Sequence, residues 1–428
     1  MGNKTEKGGT KMANGSGEQG SSYKWYILFM VSLFQIFVIG CTWMSVPVLF
    51  GEMMQTKGWT IASLMAAWGA IPLAIIFINF PAGIVGDKFG MKVAGIGAIM
   101  IGIVGALRGL APTSTMFYFS MLAYGATFPF AFVLMPKALG SYFPPAQLGM
   151  ANGVSLGAYG LGAAGALQLS GTVISPAVGG WQNVIYLYSL IALACGILWL
   201  LTVKDPPVDK AAAAAAGPAP SLVTLLVGLL KNTQVLIICL IYFMFLGGWI
   251  GMSGAYPSLG VAARGISHGQ SAFVVTFALL TYVAGCFIFP TISDKVGLRR
   301  PVYCACLLIS GFGMFMTAIT ADYTMILVWA AVWGLFAGAI PIVFAIPFET
   351  PSVGVALGGA AIGLILAAGN IGGFLFPTFI STFAGGEPTA SLLKVGILCG
   401  LFGYAGTALV IWMVNETGSK ARAAAAAE

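Results

Sequence analysis

Charge is what this sequence has least of: Asp, Glu, Lys and Arg together make up 7% of 428 residues, and there is one histidine, His268. Only twelve residues are acidic, and none falls in the middle of a long apolar run. The seven cysteines lie within apolar runs or at their edges, with no CxxC pair; Cys304 and Cys306 form a CxC that has no His or acidic neighbour, so all seven read as small buried hydrophobes. These shortages exclude a His, Cys and carboxylate cluster for catalysis or metal binding, so neither an enzyme nor a cofactor is expected. The net charge of +7 does not point to nucleic acid either, because the basic residues are spread over short segments instead of clustering on one face.

Apolar residues are what the sequence has in excess. At 59% hydrophobic, with 59 glycines and a mean hydropathy of +0.96, it lies outside the range of water-soluble domains and within that of polytopic membrane proteins. About 20 apolar residues cross a bilayer as a helix, and longer runs cross with tilt. That ruler gives twelve spans: 24–50, 60–85, 92–112, 115–139, 148–174, 182–203, 234–260, 269–291, 299–320, 324–347, 353–383 and 389–414. The expected fold is an all-α membrane protein in a cytoplasmic-type membrane. With the N-terminus inside, fourteen Lys and Arg fall on inner segments and only Lys57 and Arg264 on outer loops. This bias places both termini in the cytoplasm, which an even number of spans permits.

The chain divides in two. Residues 1–23 are polar, without the apolar core of a cleavable signal, and are expected to be a disordered tail. The stretch 204–233 contains KDPPVDK, a six-alanine run and GPAP, and reads as a linker between six-helix bundles at 24–203 and 234–414, followed by a tail at 415–428. The halves echo each other. FPAGIVGDKFGMK (80–92) follows the second span and FPTISDKVGLRR (289–300) the eighth, and paired prolines recur in spans four (Pro129, Pro136) and ten (Pro341, Pro347). Such six-helix pseudo-repeats are a construction of alternating-access transporters, with substrate held near mid-membrane.

GIVGDKFGMK resembles the signature loop of the major facilitator superfamily, Gly-x-x-x-Asp-Arg/Lys-x-Gly-Arg-Lys. Gly83, Asp87, Lys88, Gly90 and Lys92 match, with Met91 where Arg is usual. The second copy keeps Asp294, Lys295, Gly297, Arg299 and Arg300, with Pro290 in place of the first Gly. The turn itself asks for a glycine that tolerates positive φ. The resemblance implies more: that these residues form the conformational gate and that Asp87 is the carboxylate that latches one face shut by accepting from the N-terminus of a neighbouring helix.

Proton-coupled carriers usually hold a titrating group inside the membrane. Here Glu349, at the cytoplasmic end of span ten, is the nearest candidate and reads as a solvated interfacial residue. Span four lacks the Arg, and span five the Gly-Pro, of multidrug antiporters, which disfavours drug efflux. SYFPPAQLGMANGVSLGAYGLG (141–162) resembles the fifth span of oxalate–formate and monocarboxylate carriers, and AAGNIGGFLFP (367–377) the eleventh span of anion porters. Their basic residues in spans two, eight and eleven are absent. The resemblance implies a small organic anion, such as a monocarboxylate, as cargo, with inorganic anions or neutral solutes as the alternative, and a non-transporting membrane sensor as the rival outside that class. Candidate substrate contacts are Gln35, Thr42, Tyr124, Thr127, Lys137, Trp249, Tyr282 and Asn370, with Tyr159 beside them. Tyr242, Trp249 and Tyr256 recur every seven residues and so share a helix face. Arg108 and Lys394 read as interfacial anchors. The expected partners are the lipid bilayer and the transported solute, and the protein is expected to act as a monomer.

Overall fold

The computed structural model describes residues 16–143, 145–204, 228–350, 352–383 and 387–421, and among these there is no strand. Among the described residues, twelve helices are long and apolar enough to cross a membrane: α1 (Tyr23–Lys57), α2 (Ile61–Asn79), α3 (Lys92–Leu110), α4 (Ser114–Leu139), α5 (Val154–Val178), α6 (Trp181–Thr202), α7 (Thr233–Arg264), α8 (His268–Val296), α9 (Arg300–Ile319), α10 (Tyr323–Pro347), α11 (Ala361–Thr382) and α12 (Pro388–Met413). The helix leading into α1 starts at Ser16, inside the stretch expected to be a polar tail. Residues 205–227, the bulk of the expected linker, lie outside the described residues.

The loops between these helices are set by a small vocabulary of polar caps. Thr60, Thr113, Asp322 and Glu387 each accept from an N–H in the first turn of α2, α4, α10 and α12, and Ser267 forms a reciprocal capping box with Gln270 at the start of α8. Two of the scarce acids are thus spent on helix starts. Gly90 and Gly297, 207 positions apart, take φ of +79° and +74° at the two charged turns, a region an L side chain enters only with strain.

Each half packs by the same scheme. In the first, α1 meets α5, α2 meets α4, and α3 meets α4 and α6; in the second, α7 meets α11, α8 meets α10, and α9 meets α10 and α12. Glycine makes the tightest crossing possible: a Cβ on Gly334 of α10 would collide with the Ala278 carbonyl of α8, and one on Gly285 of α8 with the Leu335 carbonyl of α10. Large apolar side chains such as Phe77, Leu190, Leu201 and Leu409 stand exposed on the outside, as suits a surface facing hydrocarbon.

The halves meet through α2 with α11, α5 with α8, and α1 with α7. Pro72 lies against Gly373, and Gly160 against Val283, near the helix middles. At the side away from the termini, a Cβ on Gly51 of α1 would come within 2.8 Å of the His268 ring at the start of α8. Gly269 packs on Thr172 and Gln168 of α5. Among the described residues, the molecule is therefore closed between the halves from mid-membrane to the far side.

Candidate functional site

Aromatic rings line the seam between the halves. Trp68 on α2 reaches across it, its Nε1 donating to the Ile250 carbonyl of α7 at 3.2 Å, and the Trp68 ring packs on Gly254. Trp43 of α1 stands 6.1 Å from Trp68 and edge-on to Phe128 of α4 at 4.8 Å between ring centroids. Its indole N–H is buried and has no acceptor, and the same holds for that of Trp333 in the other half. On the other half, Trp249 of α7 packs on Tyr282 of α8 and Trp333 of α10 at 5.1 and 5.5 Å. An indole N–H left without a partner costs free energy unless a ligand or water accepts from it.

Behind Trp43 lies a polar cluster within the first bundle. The Thr42 hydroxyl donates to the Val38 carbonyl at 2.5 Å, so the Tyr124 hydroxyl, 2.6 Å away, donates to it. Thr127 donates to the Tyr124 carbonyl. Gln35 donates through Nε2 to Ser155 of α5 at 3.0 Å and leaves its Oε1 buried and unpartnered. Thr42, Tyr124 and Thr127 come together and direct their hydroxyl protons to partners inside the bundle, while Gln35 lies two turns away on α1 against α5. Asn370 donates to Leu366 of its own helix. Tyr242, on the same face as Trp249, packs on Phe344 and Gly369 of its own half, and Tyr256 is fully buried.

Arg108 is not an interfacial anchor. It is 1% exposed, deep among α1, α3 and α4. Its Nε donates to the Gly105 carbonyl and its Nη1 to the Thr42 carbonyl, each at 3.0 Å, and the guanidinium lies 3.9 Å over the Tyr124 ring. The aromatic face and the carbonyls stand in for a counter-ion. Lys137 sits elsewhere, its Nζ 3.2 Å from the Gly86 carbonyl at the terminal end of the α2 helix, where a cation suits the C-terminal dipole. That places it at the charged turn and not in the seam. Lys394 is exposed, as an interfacial residue would be.

The two charged turns differ. In the first, helix continues from α2 to Phe89 through Asp87 and Lys88, whose side chains lie outside the described residues. Gly83 has open space where a Cβ would go, Lys92 is exposed at the start of α3, and the Met91 carbonyl accepts from Trp199 at 2.8 Å. In the second, Arg299 forms a two-bond fork with Glu349 (3.1 and 2.7 Å) and bonds Asp294 at 2.6 Å, while Lys295 is exposed. Glu349 is therefore not a solvated interfacial carboxylate: its side chain is 11% exposed and also accepts from Thr417 at 2.9 Å. These carboxylates hold the Arg299 guanidinium above even the usual arginine range, Glu349 chiefly, against the opposing effect of burial. Glu416 takes the N–H groups of Arg299 and Arg300 at 2.8 and 3.0 Å, and the backbone of Lys420 donates to Gly297, so the segment after α12 is tied to this turn. Burial would raise the Glu416 carboxyl, but four backbone N–H donors, from Arg299, Gly418, Arg300 and Thr417, outweigh it and hold it below the usual carboxylate range.

Two bundles built to one plan, meeting along a donor-bearing aromatic seam that is closed toward one side, define a polytopic membrane transporter. The chain belongs to the Major Facilitator Superfamily, whose family model matches residues 31–377. It is thus a multi-pass transport protein and not an enzyme. It is 25% identical over 354 residues to the inner membrane transport protein RhmT of Escherichia coli (strain K12), covering 75% of this chain and 80% of that one. It is 27% identical over 171 residues to an uncharacterized protein of Archaeoglobus fulgidus, covering 40% of this chain and 76% of that one. Among solved structures it shares its fold with the nucleoside transporter NupG, at a TM-score of 0.67 and 14% identity over 92% of this chain and 99% of that one. It likewise shares the fold of a bacterial homolog of the human lysosomal transporter Spinster in an inward-facing, occupied conformation, at a TM-score of 0.67 and 14% identity over 91% and 95%.

Proposed function

We propose that this superfamily member carries a small organic anion of the monocarboxylate kind by alternating access, binding it in the seam beside Trp43, Trp68 and Trp249. The observation that carries the reading is the unpartnered Trp43 indole N–H at that seam. A carboxylate oxygen is its natural acceptor, and no mid-span carboxylate exists in the sequence to compete for it or repel an anion. Neutral nucleosides, the cargo of NupG, would want acceptors as well as donors; the buried Gln35 Oε1 is one such group and keeps a neutral solute as the second reading. With no titrating carboxylate in mid-span, exchange, or a proton moving with the substrate, fits better than a dedicated proton site.

In this reading the first charged turn is the gate, and Asp87→Asn slows transport without changing which solutes compete. The cargo is tested by counterflow. Proteoliposomes preloaded with formate, acetate or lactate should accelerate uptake of the labelled acid. Stimulation by uridine with none by any carboxylate would transfer the assignment to neutral solutes.

A further inference from the structure

We infer that Arg108 is the resident charge that makes the seam prefer anions, acting through space and not by contact with the cargo. This rests on the anion reading above and deepens it. Arg108 is the one cation buried in mid-bundle among the described residues, and no carboxylate there lies within salt-bridge reach of it. Its nearest acid on α1, Glu52, is occupied by Ser175 at 2.5 Å and by the Trp181 N–H at 2.9 Å. A guanidinium inside a membrane bundle is expensive to keep, and an apolar side chain in its place could pack against Tyr124 without that cost.

The wiring toward the seam is short. Arg108 lies on the Tyr124 ring, Tyr124 packs on Phe128 at 6.5 Å, and Phe128 packs on Trp43 at 4.8 Å. Arg108 also bonds the Thr42 carbonyl, the peptide group that immediately precedes Trp43. Aromatic rings and aliphatic helix faces fill the gap, so solvent does not screen the charge there. A unit charge on the order of 12 Å away, at an effective dielectric of about 20, changes the affinity for a monoanion by about tenfold. A neutral isostere does not feel it. Because the cation is held inside the bundle by two carbonyls and the Tyr124 ring, it attracts the cargo without contacting it, which suits a carrier that must also release.

The test compares lactate with its neutral isostere lactamide as competitors of labelled-lactate exchange in proteoliposomes, for the wild type, Arg108→Gln and Arg108→Lys. The expected result is that Arg108→Gln weakens lactate about tenfold relative to lactamide, while Arg108→Lys, which keeps the charge and changes the donors, holds the ratio within about threefold of wild type. A purely structural staple would weaken both competitors together in both variants, and that result would overturn the inference while leaving the anion reading intact. If Arg108→Gln does not assemble, Arg108→Lys decides alone: a lactate preference lost despite the retained charge refutes a field effect. Wild-type protein that exchanges no monocarboxylate would remove the cargo reading, and the inference with it.

Discussion

Replacing Glu349 by Gln isolates the most buried ion pair among the described residues of the second bundle. Glu349 and Arg299 share a fork with side chains 11% and 10% exposed, whereas Asp294, the acid of the superfamily-like loop, is 66% exposed and offers Arg299 a single bond. Breaking a buried pair leaves an uncompensated charge and costs about 3 to 5 kcal/mol, while exposed pairs are worth about 0 to 1. In Glu349→Gln the guanidinium keeps Asp294, and Thr417 can still donate to the amide carbonyl, so the loss falls to about 2 to 3 kcal/mol. In Asp294→Asn the fork survives, and the loss stays below about 1 kcal/mol. Reversible unfolding in mixed detergent and SDS micelles, followed by tryptophan fluorescence, measures both. Adding Arg299→Gln closes a double-mutant cycle whose Glu349 coupling should exceed its Asp294 coupling by at least about 1 kcal/mol. Equal costs, or a larger one for Asp294→Asn, would refute the view that the buried fork and not the loop acid braces this turn.

Two further outcomes follow from packing and linkage. Gly334→Ala should cost about 1 to 3 kcal/mol and lower the yield of folded protein, because its methyl meets the Ala278 carbonyl of α8, whereas Gly165→Ala, which opens into free space, should be tolerated; detergent size-exclusion profiles compare them. Glu416 is held below the usual carboxylate range by backbone donors, so its stabilising contribution is fully present above the unfolded carboxylate's pKa and is lost as pH falls through its own lower value. The difference in unfolding midpoint between wild type and Glu416→Gln should therefore be present at neutral pH and shrink only below the ordinary carboxylate range.

The spans and the repeat were legible in the sequence because hydrocarbon imposes them residue by residue: each apolar run has to be about as long as the bilayer is thick, and each tight turn between runs shows its glycine and charge. Gly90 and Gly297 illustrate this, since a turn of that kind requires positive φ whatever surrounds it. Arg108 was not legible. A ruler laid along the chain puts it four residues from the end of the span 92–112, where an arginine normally snorkels outward. What turns it inward is a carbonyl 66 residues away and the ring of Tyr124, neither of which periodicity connects to it. Glu349 was hidden in the same way, its partners being Arg299 and Thr417.

Trp43 and Trp68 escaped for the opposite reason, because tryptophans in apolar spans have too many ordinary roles to stand out until packing leaves one N–H without an acceptor and sends the other across the seam. Thr42, Tyr124 and Thr127 stand out in the sequence as polar groups within apolar spans and so as candidate substrate contacts, yet scarcity of partners in hydrocarbon is also why each is satisfied inside its own bundle. On the proposed anion reading, recognition falls to groups the bundle does not satisfy for itself, such as the Trp43 indole N–H, and to the field of the buried Arg108. In that reading, a solute small enough to sit among indole rings and carrying one negative charge matches both.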